Sequence, residues 1–104
     1  MPSYEEVKDY ATVAASQAAA GLSPSGGTGH IGDILEKLVI IPATTSAGNV
    51  SIQDGGGTAI SVFVTGTLSN LAPIQVPLGI RSKVGGWTVT TGASVSVIAV
   101  GRFT

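Results

Sequence analysis

Six short stretches of alternating or continuous apolar residues, separated by turns rich in Gly and Ser, constrain the fold of this chain most strongly. Side chains in a strand alternate between two faces, and Gly, Pro and Ser clusters separate such strands. Strands this short and this closely spaced predict a mainly β fold, a small antiparallel β-sandwich or barrel of jelly-roll type. The predicted strands are ILEKLVIIP (34–42), NVSIQD (49–54), TAISVFVTG (58–66), APIQVPLGI (72–80), GWTVTT (86–91) and SVSVIAVGRF (94–103).

Part of the strand pairing is also predictable. Segments 49–54 and 58–66 flank a Gly-rich turn and predict a hairpin, and the last two segments predict a second pair. Pro73 and Pro77 lack the amide donor that an interior strand needs, so their segment is predicted at a sheet edge.

The N-terminal part of the chain predicts a helical arm. Ser3 and Glu6 have the spacing of a capping box, and apolar residues, mostly Ala, then recur at helical intervals from about Tyr4 to about Ala20. The segment GLSPSGGTGHIG that follows is typical of a flexible connector. We therefore expect an Ala-rich helix (1–20), a Gly-rich linker (21–32) and a β-domain (33–104).

Charge is scarce and unevenly placed. Charged residues make up 11% of the chain, well below the ~25% of a typical soluble domain. All six acids lie within residues 1–54, whereas Arg81, Lys83 and Arg102 lie in residues 55–104, which hold no acid. This layout suits contacts between copies or with an oppositely charged neighbour, but three scattered cations are too few for a nucleic-acid footprint. No apolar run is long enough for a membrane span, so no membrane partner is expected.

The sequence predicts no catalytic, cofactor or metal site. There is no cysteine, which excludes disulfides and Cys-based zinc sites. His30 and Asp33 are the only near pair resembling a base and its orienting acid, and no nucleophile elbow accompanies them. Glu36 and Asp54 could act as paired carboxylates only if the fold brought them together. We expect a protein that is not an enzyme, with a small hydrolase using His30 and Asp33 as the last-ranked alternative.

The final segment breaks its own alternation. Ser94 and Ser96 mark one face as solvent-facing, yet Ile98 and Val100 fall on that same face. Either the N-terminal helix of the same chain or a second chain would cover them. We predict a subunit interface formed by Trp87, Ile98, Val100 and Phe103. We also predict an attachment helix that carries Tyr4, Val7 and Tyr10. The alternative role for Trp87 is to stack on a sugar.

The segment VPLGIRSKVGGWTVTTGASVSVIAVGRF (76–103) resembles small virion proteins of tailed bacteriophages, of the capsid decoration (cement) or head-fibre type, and the similarity extends more loosely over residues 31–66. The resemblance implies a compact β-fold, often a homotrimer, that binds a major capsid protein or another virion protein and carries no cofactor. It implies synthesis in the host cytoplasm and a final location on the virion. A fibre or tail-adaptor subunit, or a carbohydrate-binding module at a fibre tip, remains the alternative.

Overall fold

In the described part of the chain, eight strands form two four-stranded antiparallel sheets. The computed structural model describes residues 9–23, 29–44, 47–63 and 72–104. Sheet A has the strand order β1-β8-β3-β6 and sheet B the order β2-β7-β4-β5. The strands are β1 (Asp9–Val13), β2 (Ala20–Gly21), β3 (Ile34–Pro42), β4 (Val50–Asp54), β5 (Ile60–Phe63), β6 (Ile74–Arg81), β7 (Trp87–Thr91) and β8 (Val95–Arg102). The predicted mainly β class is therefore confirmed.

The inner faces of both sheets contribute to one hydrophobic core. In β8, and in β3 from Leu38 onward, buried positions recur at every second residue, as a strand with one covered face requires. The fully buried side chains are mostly aliphatic, and the largest are Leu35, Leu38, Ile40, Ile52, Val50, Val89, Val95 and Val97. Their burial supplies most of the driving force for folding, at roughly 25 cal/mol per Å² of apolar surface removed from water.

Strand β3 crosses the core with one irregularity. Leu35 lies opposite Ile80 of β6 and Gly101 of β8, whereas Lys37 lies opposite Pro77 and Val100. The register of β3 therefore shifts at Glu36 relative to both neighbouring strands. A bulge of this kind directs two neighbouring side chains away from the core without breaking the ladder. Both Leu35 and Leu38 consequently remain buried, although they are three residues apart.

The predicted N-terminal helix is wrong over residues 9–20, because no helix occurs in the described part of the chain. Residues 9–13 instead form β1, which pairs antiparallel with β8 and completes sheet A. Ser16 and Ala19 then adopt positive φ values of 61° and 48°, a conformation no right-handed helix contains. Pairing with β8 satisfies the backbone groups on that strand's free side, which outweighs the marginal stability that a short isolated helix has even when it is rich in Ala.

Part of the predicted Gly-rich linker also belongs to the β-fold. Gly21 ends β2, Leu22 is buried in the core, and residues 31 and 32 form a turn tied to the end of β6. Residues 24–28 lie outside the described ranges. The N-terminal part of the chain thus contributes two strands, β1 and β2, one to each sheet.

Two of the predictions about strand pairing are confirmed and one is wrong. The β4–β5 hairpin is confirmed, and β6 lies at the edge of sheet A as its prolines predicted. The predicted pairing of the last two strands is wrong: β7 pairs with β2 and β4, and β8 pairs with β1 and β3. The short connection between β7 and β8 therefore crosses from one sheet to the other.

Candidate functional site

The outer face of sheet A, the surface turned away from the core, carries apolar side chains in adjacent rows. Val100 lies between Tyr10 of β1 and Lys37 of β3, and Ile98 lies between Thr12 and Val39. Directly opposed residues project on the same face of a sheet, so these rows form a continuous patch across three strands. We call Tyr10, Val39, Ile98 and Val100 the outer patch.

The outer patch is accessible within the chain. Tyr10 is 73% exposed, and Val39, Ile98 and Val100 are half-buried against their strand neighbours. Strand β1 lies beside β8 and does not cover it. The broken alternation seen in the sequence is therefore real, and its apolar side chains face outward rather than into the core.

Cations lie at one end of this face. Arg81 of β6 and Arg102 of β8 lie opposite Ile34 on its two sides, and Lys37 lies opposite Val100. Both arginines are exposed. The apolar rows and the cations together give sheet A an outer face with a positive end.

The outer face of sheet B has the opposite character. Its neighbouring strands pair Ser51 with Thr90 and with Ser61, and Gln53 with Thr88. Hydroxyl and amide side chains bond to water without large desolvation costs, so this face suits solvent, except at Thr88, which is buried and whose hydroxyl has no partner among the described residues. Within the described residues, the molecule thus has one outer face that is mostly polar and another that carries an apolar patch beside its cations.

The four residues predicted for the subunit interface are divided between core and surface. Trp87 and Phe103 are only 3% and 5% exposed and belong to the chain's own core. Ile98 and Val100 lie on the outer face of sheet A. Trp87 does not reach the surface because it is on the core-facing side of β7. Phe103 is two residues after the buried Gly101 and therefore lies on the same, core-facing side.

Of the three predicted attachment residues, only Tyr10 lies in the described part of the chain. Tyr4 and Val7 lie outside it. Tyr10 is on β1 rather than on a helix, which corrects the predicted element while leaving the ring exposed. Sequence reasoning missed that Tyr10 and Val39 share a face with Ile98, although the alternation in Asp-Tyr-Ala-Thr-Val is a strand signal.

Asp33 and His30 do lie together, in a polar corner closed by the last residue. The Asp33 carboxylate accepts hydrogen bonds from the His30 and Thr104 backbone N–H groups and, at 2.8 Å, from the Thr104 hydroxyl. The His30 Nδ1 atom lies 2.9 Å from the same hydroxyl. Because that hydroxyl already donates to Asp33, it can only accept from His30, so His30 does not activate it as a nucleophile in this arrangement.

The same corner fixes the position of Trp87. The Asp33 carbonyl accepts the indole N–H of Trp87 at 3.1 Å and the backbone N–H of Ser82 at 2.9 Å. The Ser82 hydroxyl accepts from Gly32 N–H and donates to the His30 carbonyl. These bonds join the turn before β3 to the ends of β6 and β8, and their role is structural.

Asp54 holds the turn that leads into β7. Its carboxylate accepts the backbone N–H groups of Lys83, Val84 and Gly85 at 2.8 to 3.2 Å. Burial raises the pKa of the carboxyl, but the three N–H donors and the Lys83 charge lower it by more. The pKa of Asp54 therefore lies below its ordinary value of 3.8. Glu36 is on sheet A and Asp54 ends a strand of sheet B, so the two belong to different sheets.

We expect Asp54→Asn to destabilise the fold by about 1 kcal/mol, since the partly solvated carboxylate holds three backbone donors. A carboxyl with a depressed pKa stabilises the fold above its unfolded-state pKa and loses that contribution as pH falls through the folded-state pKa. Urea unfolding at about pH 7 and about pH 3 measures both effects. The gap between wild type and variant should narrow at the acidic pH; an unchanged gap would mean that the charge of Asp54 contributes nothing.

The described residues contain no group of three potential metal ligands. They also contain no helix that could cross a membrane. Comparison with protein-family models, with curated protein sequences and with solved structures found no match.

Proposed function

We propose that this chain is a structural subunit of a bacteriophage virion, not an enzyme, which oligomerises and attaches to the capsid surface as a decoration or cement subunit. The strand orders 1-8-3-6 and 2-7-4-5 support the predicted jelly roll, since this double Greek key places successive strands in different four-stranded sheets, except for the β4–β5 hairpin. Viral capsid proteins and lectins both use that architecture, so the fold alone does not choose a function.

The contrast between the two outer faces carries the proposal. Sheet B presents hydroxyl groups to solvent, whereas sheet A presents the outer patch, in which Ile98 and Val100 remain partly exposed. Apolar surface of this kind is stabilised when a partner removes it from water. A second copy of the chain, or a capsid protein, would do so.

Avidity supplies the mechanism. A small patch gives a weak contact by itself, but several subunits joined in one oligomer bind a repeating lattice together. The positive end of sheet A would add orientation and speed to this binding wherever the lattice offers acidic groups. A homotrimer fits a decoration subunit at a threefold position, and a fibre or tail-adaptor subunit would use the same patch against another virion protein.

The structure weakens the carbohydrate-binding alternative in the form that relied on Trp87. That side chain is 3% exposed and donates its only polar hydrogen to Asp33. A sugar platform requires an exposed ring face, which Trp87 does not offer.

We expect wild-type protein to form a stable oligomer, most tellingly a trimer, and the double variant Ile98→Ser/Val100→Ser to be a folded monomer. Both residues lie outside the core, so the variant should unfold only slightly more easily than wild type. Light scattering over a range of concentrations gives the mass, and circular dichroism checks the fold.

The matched control replaces Ser51 and Ser61 by Ala on the outer face of sheet B, and it should retain the wild-type mass. A wild-type protein that stays monomeric at every concentration would contradict self-association through this face. A double variant that still assembles would place the interface elsewhere.

A further inference from the structure

We propose that one end of the sandwich attaches this chain to an acidic surface of a partner protein. The inference rests on the attachment role proposed above, but it concerns a surface other than the outer patch. In the described ranges, every Asp, Glu, Lys and Arg lies toward the end where β1, β3 and β7 begin and β4, β6 and β8 end: Asp9, Asp33, Glu36, Lys37, Asp54, Arg81, Lys83 and Arg102. The connections at the opposite end carry no such residue in those ranges. We call the end with these residues the charged end.

Strand register and hydrogen bonds show that these strand ends meet at the same end of the molecule. Ile34 begins β3 opposite Arg81, at the end of β6, and Arg102, at the end of β8. The turn that follows β6 reaches sheet B, because Asp54 at the end of β4 accepts the backbone N–H groups of residues 83–85. The charged end is therefore one region shared by both sheets.

The acids of the charged end are engaged within the chain, whereas its arginines are exposed. Backbone N–H groups donate to three of the four carboxylates, those of Asp9, Asp33 and Asp54. The fourth acid, Glu36, also has an interaction partner. Arg81 and Arg102 lie exposed on the outer face of sheet A, and β3 separates their strands, so their backbones are about 10 Å apart. Each guanidinium can hold a carboxylate through two parallel hydrogen bonds, so this pair fits two acids of a partner.

Two aliphatic side chains are exposed on neighbouring turns of the charged end. Ile31 is 65% exposed and Val84 is 59% exposed. Hydrogen bonds join their turns, because the Gly32 N–H donates to the Ser82 carbonyl at 3.2 Å and to the Ser82 hydroxyl at 2.9 Å. Turns held in this way lose little conformational freedom when a partner binds. An apolar recess on the partner would remove both side chains from water.

This combination of groups fits a protein better than a lipid surface or a nucleic acid. The four cations of the charged end are matched by four acids, so the region has little net charge with which to attract an anionic membrane or a phosphate backbone. Apolar contacts surrounded by polar groups, with arginine enriched, are instead typical of protein interfaces. We therefore infer a partner surface on which Asp or Glu residues flank an apolar recess.

Selection from a library of random short peptides displayed on beads tests this inference without a known partner. We expect the wild-type protein to enrich peptides in which Asp or Glu flank Leu, Ile or Phe. Fluorescence anisotropy then measures the affinity of the best peptide, which should fall as the salt concentration rises. Vesicles of phosphatidylglycerol should not bind the protein.

The variants address the two kinds of contact separately. Arg81→Gln/Arg102→Gln should weaken binding of the best peptide by about tenfold, since two exposed ion pairs are lost. Val84→Ser should weaken it by about fivefold, because less apolar surface is buried. The matched control is Ala93→Ser, at an exposed position of the opposite end, and it should leave the affinity unchanged. Circular dichroism checks that each variant is folded.

Four results would overturn the inference: no enrichment of acidic peptides, unchanged binding by the arginine variant, an equal loss in Ala93→Ser, or equally tight binding of phosphatidylglycerol vesicles. The Ile98→Ser/Val100→Ser variant should still bind the best peptide. Light scattering reports on self-association independently of these measurements. A monomeric protein that binds acidic peptides would contradict assembly through the outer patch and support the charged end, whereas a trimer that enriches none would overturn this inference alone.

Discussion

Replacing Gly101 with Ala is expected to cost more stability than adding a methyl group at any open glycine. A Cβ atom at Gly101 would overlap the Ile34 carbonyl oxygen and would lie 3.1 Å from the Phe103 ring. The first contact is with the backbone of the neighbouring strand, which cannot move without breaking the β3–β8 ladder. Overpacking of this kind usually costs 1–3 kcal/mol, and a backbone contact should place the loss at about 3 kcal/mol or more.

Urea unfolding followed by circular dichroism measures this loss. Gly56→Ala is the matched control, because nothing lies within 4 Å of its added Cβ and its φ is not positive. The control should be neutral or slightly stabilising, since Ala restricts the unfolded chain more than Gly does. Equal stability of the two variants would mean that β3 and β8 can separate at Gly101, contrary to the packing described above.

The position of Gly101 shows what local sequence can and cannot predict. The alternation that precedes it placed β8 in the chain to within one residue at either end, and β3 was predicted with its observed bounds. Alternation describes one strand at a time, however, and carries no information about which strand lies beside it. The close approach of Ile34 to Gly101 depends on pairing across more than sixty positions, which no local pattern contains.

Two errors have the same origin. The capping-box spacing and the helical recurrence of apolar residues predict a helix in the N-terminal segment, but residues 9–13 form a strand of sheet A by pairing with β8. The last two segments were predicted to pair because they are neighbours in sequence, yet Ser94, at a φ of 61°, lies in a turn that leads from one sheet to the other. In both places a distant strand outweighs the local preference, as is common for β-structure.

Only two of the four residues of the outer patch could be predicted from the sequence. Ile98 and Val100 were identified because an apolar residue at a solvent-facing position is visible in a single strand. Tyr10 and Val39 completed the outer patch only when the register of three strands was known. For Trp87 the sequence leaves core and interface open and favours both over a sugar platform, because a lone tryptophan in a small β-domain is more often a core aromatic.

Replacing Trp87 by Ala is expected to destabilise the protein by about 3–5 kcal/mol, which for a domain of this size is a large share of its total stability. The side chain is 3% exposed and is the largest aromatic of the core. Trp87→Phe should cost far less, about 1–2 kcal/mol, since the ring remains and the Asp33 carbonyl keeps its bond from Ser82. Circular dichroism in urea compares the three proteins without relying on tryptophan fluorescence.

This pair of variants also decides between the core and platform roles of Trp87. A sugar platform would leave stability unchanged in Trp87→Ala and would abolish glycan binding, because an exposed ring contributes to ligand contacts and not to folding. If Trp87 is a core residue, the free energy of unfolding falls steeply in Trp87→Ala, whereas Trp87→Phe remains folded. Because the Ala variant is expected to unfold easily, any glycan experiment must use Trp87→Phe, in which a lost binding signal cannot be caused by a lost fold.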